Sequence, residues 1–236
     1  MTSLNKNARV AGLLYILFSA IGVVRLMYIP KTLFVHGDAA ATVNNIVAHE
    51  LLFRFGIVSQ LVAAAGWIFV TLALYRLLKG VDQGLAVLMV ILGSIMVTPI
   101  FFINSVNDAA ALLFARGADF LSVIDQPQRD ALARMFLNLH HQLDLANAVF
   151  WGLWLFPLGL LVYRSRFLPR FLGVWLMVGC FGWLAFSFTG IVFPSYEDTV
   201  NNITQPATLG ELVFMLWLLV MGAREPKEQR LATAKS

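Results

Sequence analysis

The residues best suited to chemistry form one short polar stretch from His140 to Asp144, followed by Asn147. In a helix, spacings of four and seven place His140, Asp144 and Asn147 on one face. An imidazole beside a carboxylate supplies two ligands to a metal ion, or is held in orientation for proton transfer. A metal ion needs further ligands, and such a pair more often joins neighbouring helices by a hydrogen bond. We therefore predict a polar contact face here and no metal site.

Asn104 and Asp108 repeat the four-residue spacing in another apolar segment. A rise of 1.5 Å per residue places the polar groups of the predicted spans about 18 to 34 Å from the cytoplasmic end. A charge in hydrocarbon costs about 2.5 to 3.5 kcal/mol, so these groups are expected to face the protein interior and to pair. The alternative is that they mark the membrane interface and reach outward to it. We predict an outward-facing polar pocket that binds a small or amphipathic ligand, formed by Arg25, Arg54, Asn104, Asp108, His140, Asp144 and Glu211.

A second interpretation starts from the sequence His49 to Arg54, which resembles the Glu-Glu-x-x-x-Arg motif of intramembrane proteases that process prenylated proteins. Phe136-x-x-x-His140 resembles that family's second motif. The match is partial, because His49 stands where the first Glu belongs and the His motif of a separate helix is missing. A hydrolase would use Glu50, His140 and Asp144 to activate water. A Glu–Arg pair one turn apart at a helix start is the simpler explanation.

These residues must be positioned inside a membrane, because 59% of the 236 residues are apolar, only 13% are charged, and the mean hydropathy is +0.78. Soluble proteins have about half apolar and about a quarter charged residues. Disordered and nucleic-acid-binding proteins have the opposite composition, so both classes are excluded. The single cysteine, Cys180, excludes an internal disulfide. No phosphate loop or nucleophile elbow is present, and no cofactor is expected.

The apolar segments predict an all-α integral membrane protein, a six-transmembrane-helix bundle. A bilayer core of about 30 Å is crossed by about 20 helical residues. We expect short cytoplasmic loops and two longer outer loops, with short helices at 39–50 and 107–116. The fourth helix is expected to start before its apolar part, and the sixth span is short. The predicted spans are 10–29, 51–75, 85–106, 145–163, 171–193 and 207–223.

The distribution of Lys and Arg predicts the orientation of the six spans. Eleven lie in the segments on the side of the termini and four in the opposite connections. By the positive-inside rule both termini are cytoplasmic. A cleaved signal peptide is disfavoured, because the first apolar run continues past Arg25 to Ile29. We predict a single membrane domain over 1–223 and a charged, disordered cytoplasmic tail over 224–236.

Several phrases together resemble a bacterial membrane family known as domain of unknown function 4386. The likeness extends over most of the chain. It implies a multi-span helical domain in a bacterial cytoplasmic, or inner, membrane, and it supplies no activity or catalytic residue. The phrases are Ala8-Arg9-Val10-Ala11-Gly12, Leu52-Phe53-Arg54-Phe55-Gly56, Leu74-Tyr75-Arg76, Phe150-Trp151-Gly152-Leu153-Trp154 and Pro157-Leu158-Gly159.

The leading hypothesis is therefore a membrane protein in a sensing, carrier or accessory role, with the lipid bilayer as its surroundings and a small or lipophilic molecule as its ligand. Primary transport is disfavoured, because spans one to three show no inverted repeat of four to six. Two alternatives remain. One is the membrane-embedded hydrolase, and the other is a structural partner of another membrane protein, in which the polar groups hold helices together.

Overall fold

The protein is described by a computed structural model that covers residues 2–224. Every regular element among these residues is helical, and six helices are long and apolar enough to cross a membrane. The prediction of an all-α, six-span membrane protein is thus confirmed. From the N-terminus, the first to sixth spans are Ser3–Leu33, Glu50–Leu78, Gln83–Arg116, Gln126–Arg164, Arg170–Val192 and Pro194–Val220.

Three spans depart from regular α-helix one turn or less before a proline. Proline has no N–H for the carbonyl four residues earlier, and its ring crowds that carbonyl. The departures precede Pro30, Pro99 and Pro157. Wider π-turns of this kind are frequent at functional sites. The departures divide the first span into the helix Ser3–Val23, a π-turn Val24–Tyr28 and the helix Ile29–Leu33. The third span consists of the helix Gln83–Val90, a π-turn Ile91–Ile95 and the helix Val97–Arg116. The fourth span consists of the helices Gln126–Leu153 and Leu155–Arg164.

Two helices extend beyond their predicted apolar parts. Residues 107–116 continue the helix Val97–Arg116 of the third span instead of forming a separate short helix. The sixth span has a 3-10 turn Pro194–Tyr196 and then an α-helix Glu197–Val220, which begins ten residues before the predicted 207. Its first turns are polar and give no hydropathy signal, but acidic residues there favour a helix start.

The connection between the first two spans contains the short helix Ala39–Ala48, as the sequence predicts. The Asp38 side chain caps it by accepting a hydrogen bond of 2.8 Å from the Ala41 amide. Asn45 donates to the Leu33 carbonyl at 3.1 Å, which satisfies a backbone group at the end of the first span. A 3-10 turn, Asp119–Leu121, lies in the connection between the third and fourth spans.

The chain divides into two compact units. One comprises Met1–Leu17, Gly66–Val97 and Leu145–Ser236 in so far as these residues are described, and the other comprises Phe18–Ala65 and Thr98–Asp144. We call the second the network unit, because it contains the polar network described below, and the first the aromatic unit. The predicted tail 224–236 lies outside the described residues apart from Arg224, whose amide donates to the Phe167 carbonyl at 3.0 Å.

Within the network unit, the second span has one exposed face and one face that packs against protein. Leu51, Phe55 and Val58 are exposed at spacings of four and three, and Phe53 and Gln60 are buried on the opposite side. A helix surrounded by lipid exposes apolar side chains and keeps polar ones against protein. The burial pattern of this span therefore fits a bilayer environment.

In the aromatic unit, the fourth and fifth spans approach each other so closely that only glycine fits. A Cβ built on Gly159 would lie 2.6 Å from the Gly173 carbonyl oxygen, and one on Gly173 would lie 2.5 Å from the Gly159 carbonyl oxygen. Small residues allow such backbone contact between membrane helices, where van der Waals packing drives association.

Replacing Gly173 by Ala should therefore destabilise the protein by about 1–3 kcal/mol, because backbone atoms cannot move aside as a flexible side chain would. The measurement is the thermal unfolding midpoint in detergent micelles. Gly80→Ala is the matched control, since nothing lies within 4 Å of a Cβ at Gly80. Equal midpoints for the two variants would contradict the backbone contact.

Candidate functional site

Five of the seven predicted site residues form one hydrogen-bonded network inside the network unit. Its members come from the first, third and fourth spans and bond to one another directly. They are Arg25, Asn104, Asp108, His140 and Asp144, which we call the Arg25 network.

The centre of the network is an ion pair between Arg25 and Asp108. The Arg25 Nε donates to one carboxylate oxygen at 2.6 Å, and the Arg25 Nη2 donates to the other at 2.5 Å. The exposed fraction is 4% for Arg25 and 0% for Asp108. Two parallel charge-assisted bonds are the strongest pairing available to a guanidinium, and the burial leaves neither charge in contact with bulk water. Arg25 lies in the π-turn Val24–Tyr28, so the backbone irregularity before Pro30 positions the cation.

His140 joins this pair to a second carboxylate. Its Nδ1 lies 3.1 Å from the Arg25 Nη2 and 3.0 Å from the Asp108 Oδ1, and its Nε2 lies 3.3 Å from Asp144 Oδ2. An unprotonated Nδ1 accepts from Arg25, whereas a protonated Nδ1 donates to Asp108. Both protonation states of the ring therefore have a partner in the same geometry.

Asn104 completes the network from the third span. Its Nδ2 donates to Asp144 Oδ1 at 2.8 Å and approaches the His140 carbonyl at 3.3 Å. Asn107 Nδ2 in turn lies 3.4 Å from the Asn104 Oδ1. The Asn104 amide thus fixes the Asp144 carboxylate that faces His140. Both the Nδ2 donor and the Oδ1 acceptor of Asn104 have partners. These contacts bring Asn104 and Asp108 of the third span face to face with His140 and Asp144 of the fourth span.

Apolar side chains surround the network in the same unit. The Phe34 ring lies under the guanidinium, with its centroid 5.8 Å from Arg25 Cζ, a cation–π distance. Adding a Cβ to Gly56 would bring it to 2.8 Å from Ile29 and 3.4 Å from Arg25 Cδ, so the second span packs directly against the π-turn. The nearby core consists of Ile29, Leu33, Ile46, Phe53, Ala111, Leu112 and Leu137.

Arg54 lies outside the Arg25 network in a separate cluster. Its Nε donates to Glu50 Oε1 at 2.6 Å, and the other Glu50 oxygen lies 3.3 Å from the Arg116 Nε. We call these three residues the rim cluster. The rim cluster is partly exposed, whereas His140 is 4% exposed. The proposed hydrolase residues are therefore divided, because Glu50 bonds to arginines and His140 and Asp144 belong to the network.

Glu211 lies in the aromatic unit and bonds to a residue that the sequence analysis did not select. The Tyr15 hydroxyl donates to the Glu211 carboxylate, and Tyr15 is fully buried. The Tyr15 ring lies 5.1 Å from Trp67, 5.9 Å from Trp154 and 6.4 Å from Phe214 between centroids. Aromatic pairs at such centroid distances add about 0.5–1.5 kcal/mol each beyond area burial. The Tyr15 hydroxyl that bonds to the carboxylate is thus surrounded by aromatic rings.

Comparison with known proteins identifies the family. The family model described as domain of unknown function (DUF4386) matches residues 10–222. The chain belongs to the DUF4386 family. This DUF4386 protein is 32% identical over 82 residues to an uncharacterized protein of Archaeoglobus fulgidus, a match that spans 35% of the chain and 47% of that relative. No solved structure matches the chain.

The resemblance noted in the sequence is thereby confirmed, and the family description contains no activity. The chemistry of this DUF4386 protein has to be argued from its own residues. Within residues 2–224, no group of three or more His, Cys, Asp or Glu side chains has a geometry that could hold a metal ion. What the network offers is an imidazole between two carboxylates, one of which is fixed by a guanidinium.

Pro30 and Tyr15 of this DUF4386 protein carry signals that sequence reasoning did not use. Pro30 signals the π-turn that presents Arg25, since it follows the turn directly. Tyr15 is a hydroxyl within an apolar run, and it partners Glu211. Asn147 was placed on the His140 face, and it is fully buried with neither amide atom hydrogen bonded in the described part of the chain.

Arg25→Met should destabilise the protein by about 3–5 kcal/mol, because it leaves the Asp108 carboxylate buried without its cation. The double variant Arg25→Met with Asp108→Leu should lose less free energy of unfolding than Arg25→Met alone, because no charge is then left unpaired. The measurement is the free energy of unfolding in mixed micelles.

The control for the ion pair is Arg54→Met. Its Glu50 pair is exposed, so its removal should cost no more than about 1 kcal/mol. A double variant as unstable as the sum of its single variants would show that Arg25 and Asp108 do not depend on each other.

Tyr15→Phe should destabilise the protein by about 1–3 kcal/mol, because the Glu211 carboxylate loses its donor while the aromatic packing is kept. Tyr28→Phe is the control, since Tyr28 is exposed. Adding Glu211→Leu to Tyr15→Phe should recover stability, as no acceptor is then left unpaired. Thermal unfolding in detergent measures both effects, and a silent Tyr15→Phe change would refute the hydrogen bond.

Proposed function

We propose that this DUF4386 protein is a proton-responsive membrane protein in a sensing, carrier or accessory role, and that the Arg25 network is its proton-binding site. The observation that carries the proposal is the position of His140 Nδ1, 3.1 Å from a donor on Arg25 and 3.0 Å from an acceptor on Asp108. The ring exchanges one partner for the other when it gains or loses a proton, without needing a new location.

The charges of the network support this proposal. With a neutral imidazole, the one guanidinium and two carboxylates leave one net negative charge. A net charge in a low-dielectric interior is costly. One bound proton brings the sum to zero, and His140 is the group that contacts both carboxylates. Proton relays in membrane proteins use the same residue types in the same kind of setting.

Proton binding in this geometry has a structural consequence. A proton on Nδ1 places an N–H beside the Arg25 Nη2 at 3.1 Å, so the two donors repel, compete for the Asp108 Oδ1 and displace the guanidinium. Arg25 lies in the π-turn Val24–Tyr28, so a displaced guanidinium acts on the irregular part of the first span. Protonation of the fourth span is thus transmitted to the backbone of the first.

A switch of this kind suits a protein that binds a small or amphipathic ligand and responds to the proton concentration on one side of the membrane. The excess of Lys and Arg in the segments beside the termini favours cytoplasmic termini, and hence an outward position of the network. The family resemblance favours a bacterial cytoplasmic membrane. The ligand-binding role of the five predicted residues in the Arg25 network remains part of this proposal.

One observation favours a second candidate function, a structural partner of another membrane protein. Within residues 2–224, none of the buried side-chain atoms that lack a hydrogen bond belongs to the Arg25 network. A fully satisfied network holds helices together without any further role. Hydrolysis has no comparable support, because Glu50 bonds to Arg54 and Arg116 rather than to the network.

The proposal predicts that the His140 ring and the Arg25 guanidinium change together with pH. In full-length protein in nanodiscs, labelled with ¹⁵N in the His and Arg side chains, both signals should change together, with one common midpoint, when the pH is varied from about 5 to about 9. Asp144→Asn should move that midpoint to lower pH, because a neutral amide stabilises the imidazolium less than a carboxylate. His140→Gln assigns the ring signal among the four histidines.

Asp119→Asn is the matched control, since Asp119 is an exposed carboxylate of the same unit and should leave the midpoint unchanged. A ring signal that stays constant over this pH range in the folded protein would refute the proton site and favour the structural role. A ring that titrates without any change at Arg25 would refute the transmission of protonation to the first span.

A further inference from the structure

We infer that the groove beside the rim cluster binds the headgroup and upper acyl chain of an anionic phospholipid. The groove lies between the second and third spans within the network unit and has a volume of about 360 Å³. Its lining combines two cations and aliphatic side chains: Arg54, Arg116, Ile57, Val58, Leu112 and Leu113.

The order of these residues along both helices matches the depth profile of a lipid. Arg54 lies four residues after Glu50, where the second span begins, and Arg116 is the last residue of the third span. Ile57 and Val58 lie one turn inward from Arg54, and a turn is about 5.4 Å of helix. Leu112 and Leu113 lie one turn inward from Arg116, so each wall has a cation at its end and aliphatic carbon below it.

The charge of the rim cluster favours an anion. Glu50 is the only carboxylate that pairs with either arginine in the described part of the chain, so the cluster has one excess positive charge. The side chains of Arg54 and Arg116 are 49% and 56% exposed, which leaves both within reach of a ligand.

The contacts with Glu50 also leave donors for a phosphate. In both arginines the atom nearest to Glu50 is Nε, at 2.6 Å for Arg54 and 3.3 Å for Arg116. The terminal amino groups of a guanidinium carry four further N–H donors. Arginine pairs bind phosphate through such parallel donors, and one carboxylate between the two holds them close together.

The aliphatic walls decide between a lipid and a soluble anion. Val58 and Leu113 are exposed, on helices whose composition suits a membrane, so the groove is open on the side where acyl chains lie. A free phosphate would use the arginines alone and would gain nothing from these walls. A phospholipid uses both, since its headgroup meets the arginines while its upper acyl chain packs against the aliphatic walls.

The test is native mass spectrometry of the full-length protein with phosphatidylglycerol or phosphatidylcholine of identical acyl chains. We expect phosphatidylglycerol to bind about tenfold more tightly, because each arginine near a lipid surface favours an anionic headgroup. Arg54→Gln with Arg116→Gln should remove this preference. Glu50→Gln should increase it, since the competing carboxylate is gone.

The matched control for charge is Lys31→Gln with Arg134→Gln, which removes two cations outside the groove and should keep the preference. Leu113→Trp fills the groove without changing charge and should weaken both lipids, whereas Leu139→Trp, at an exposed position of the fourth span, should not. The Leu113 variant keeps the test decisive if the double arginine variant fails to fold.

Three results would overturn the inference. The first is equal binding of the two lipids, and the second is an equal loss in the control variant, which would indicate a diffuse surface charge. The third is displacement of phosphatidylglycerol by millimolar inorganic phosphate, which would indicate a soluble anion. Asp144→Asn should leave the lipid preference intact, so this site and the proton site succeed or fail independently.

Discussion

The interaction on which the network unit depends is the buried pair between Arg25 and Asp108. A charge in a low-dielectric interior is stable only when a partner of opposite sign lies at hydrogen-bond distance and the remaining polar atoms are satisfied. The two bonds of 2.6 and 2.5 Å meet the first condition, and His140 contributes to the second. The turn before Pro30 and the packing of Phe34 follow from the same requirement, because each holds the guanidinium at the place where its partner lies.

The Arg25 network and the rim cluster use similar residues with different consequences. Glu50 and Arg54 are partly exposed, so solvent and lipid headgroups compete with their pairing and weaken it. Asp108 is fully buried, so its pairing is not screened and a single added proton changes the energy of the whole network. Burial therefore distinguishes the rim cluster, whose charges are accessible from outside, from the Arg25 network, whose charges interact mainly with one another.

Glu211 illustrates a third way to hold a carboxylate among apolar side chains. It has no arginine partner among the described ion pairs, and its bond is to the hydroxyl of Tyr15, whose ring packs against Trp67 and Trp154. A neutral donor contributes less than a cation, and the aromatic cage provides packing energy in addition. The aromatic unit thus holds Glu211 by neutral donors and packing, whereas the network unit uses several charged groups.

The sequence by itself determined the six helices and the polar pairs that lie within one helix. Hydropathy over about 20 residues identifies a span because the bilayer thickness sets the length of a membrane-crossing helix. A spacing of four residues brings Glu50 to Arg54 and His140 to Asp144 through local helix geometry alone. Only the tertiary structure decided the partners on different helices. Arg25 and Asp108 are 83 residues apart and Tyr15 and Glu211 are 196 apart. Spacing along one helix fixes the direction of a side chain on that helix, but the identity of the group it meets depends on how neighbouring helices pack.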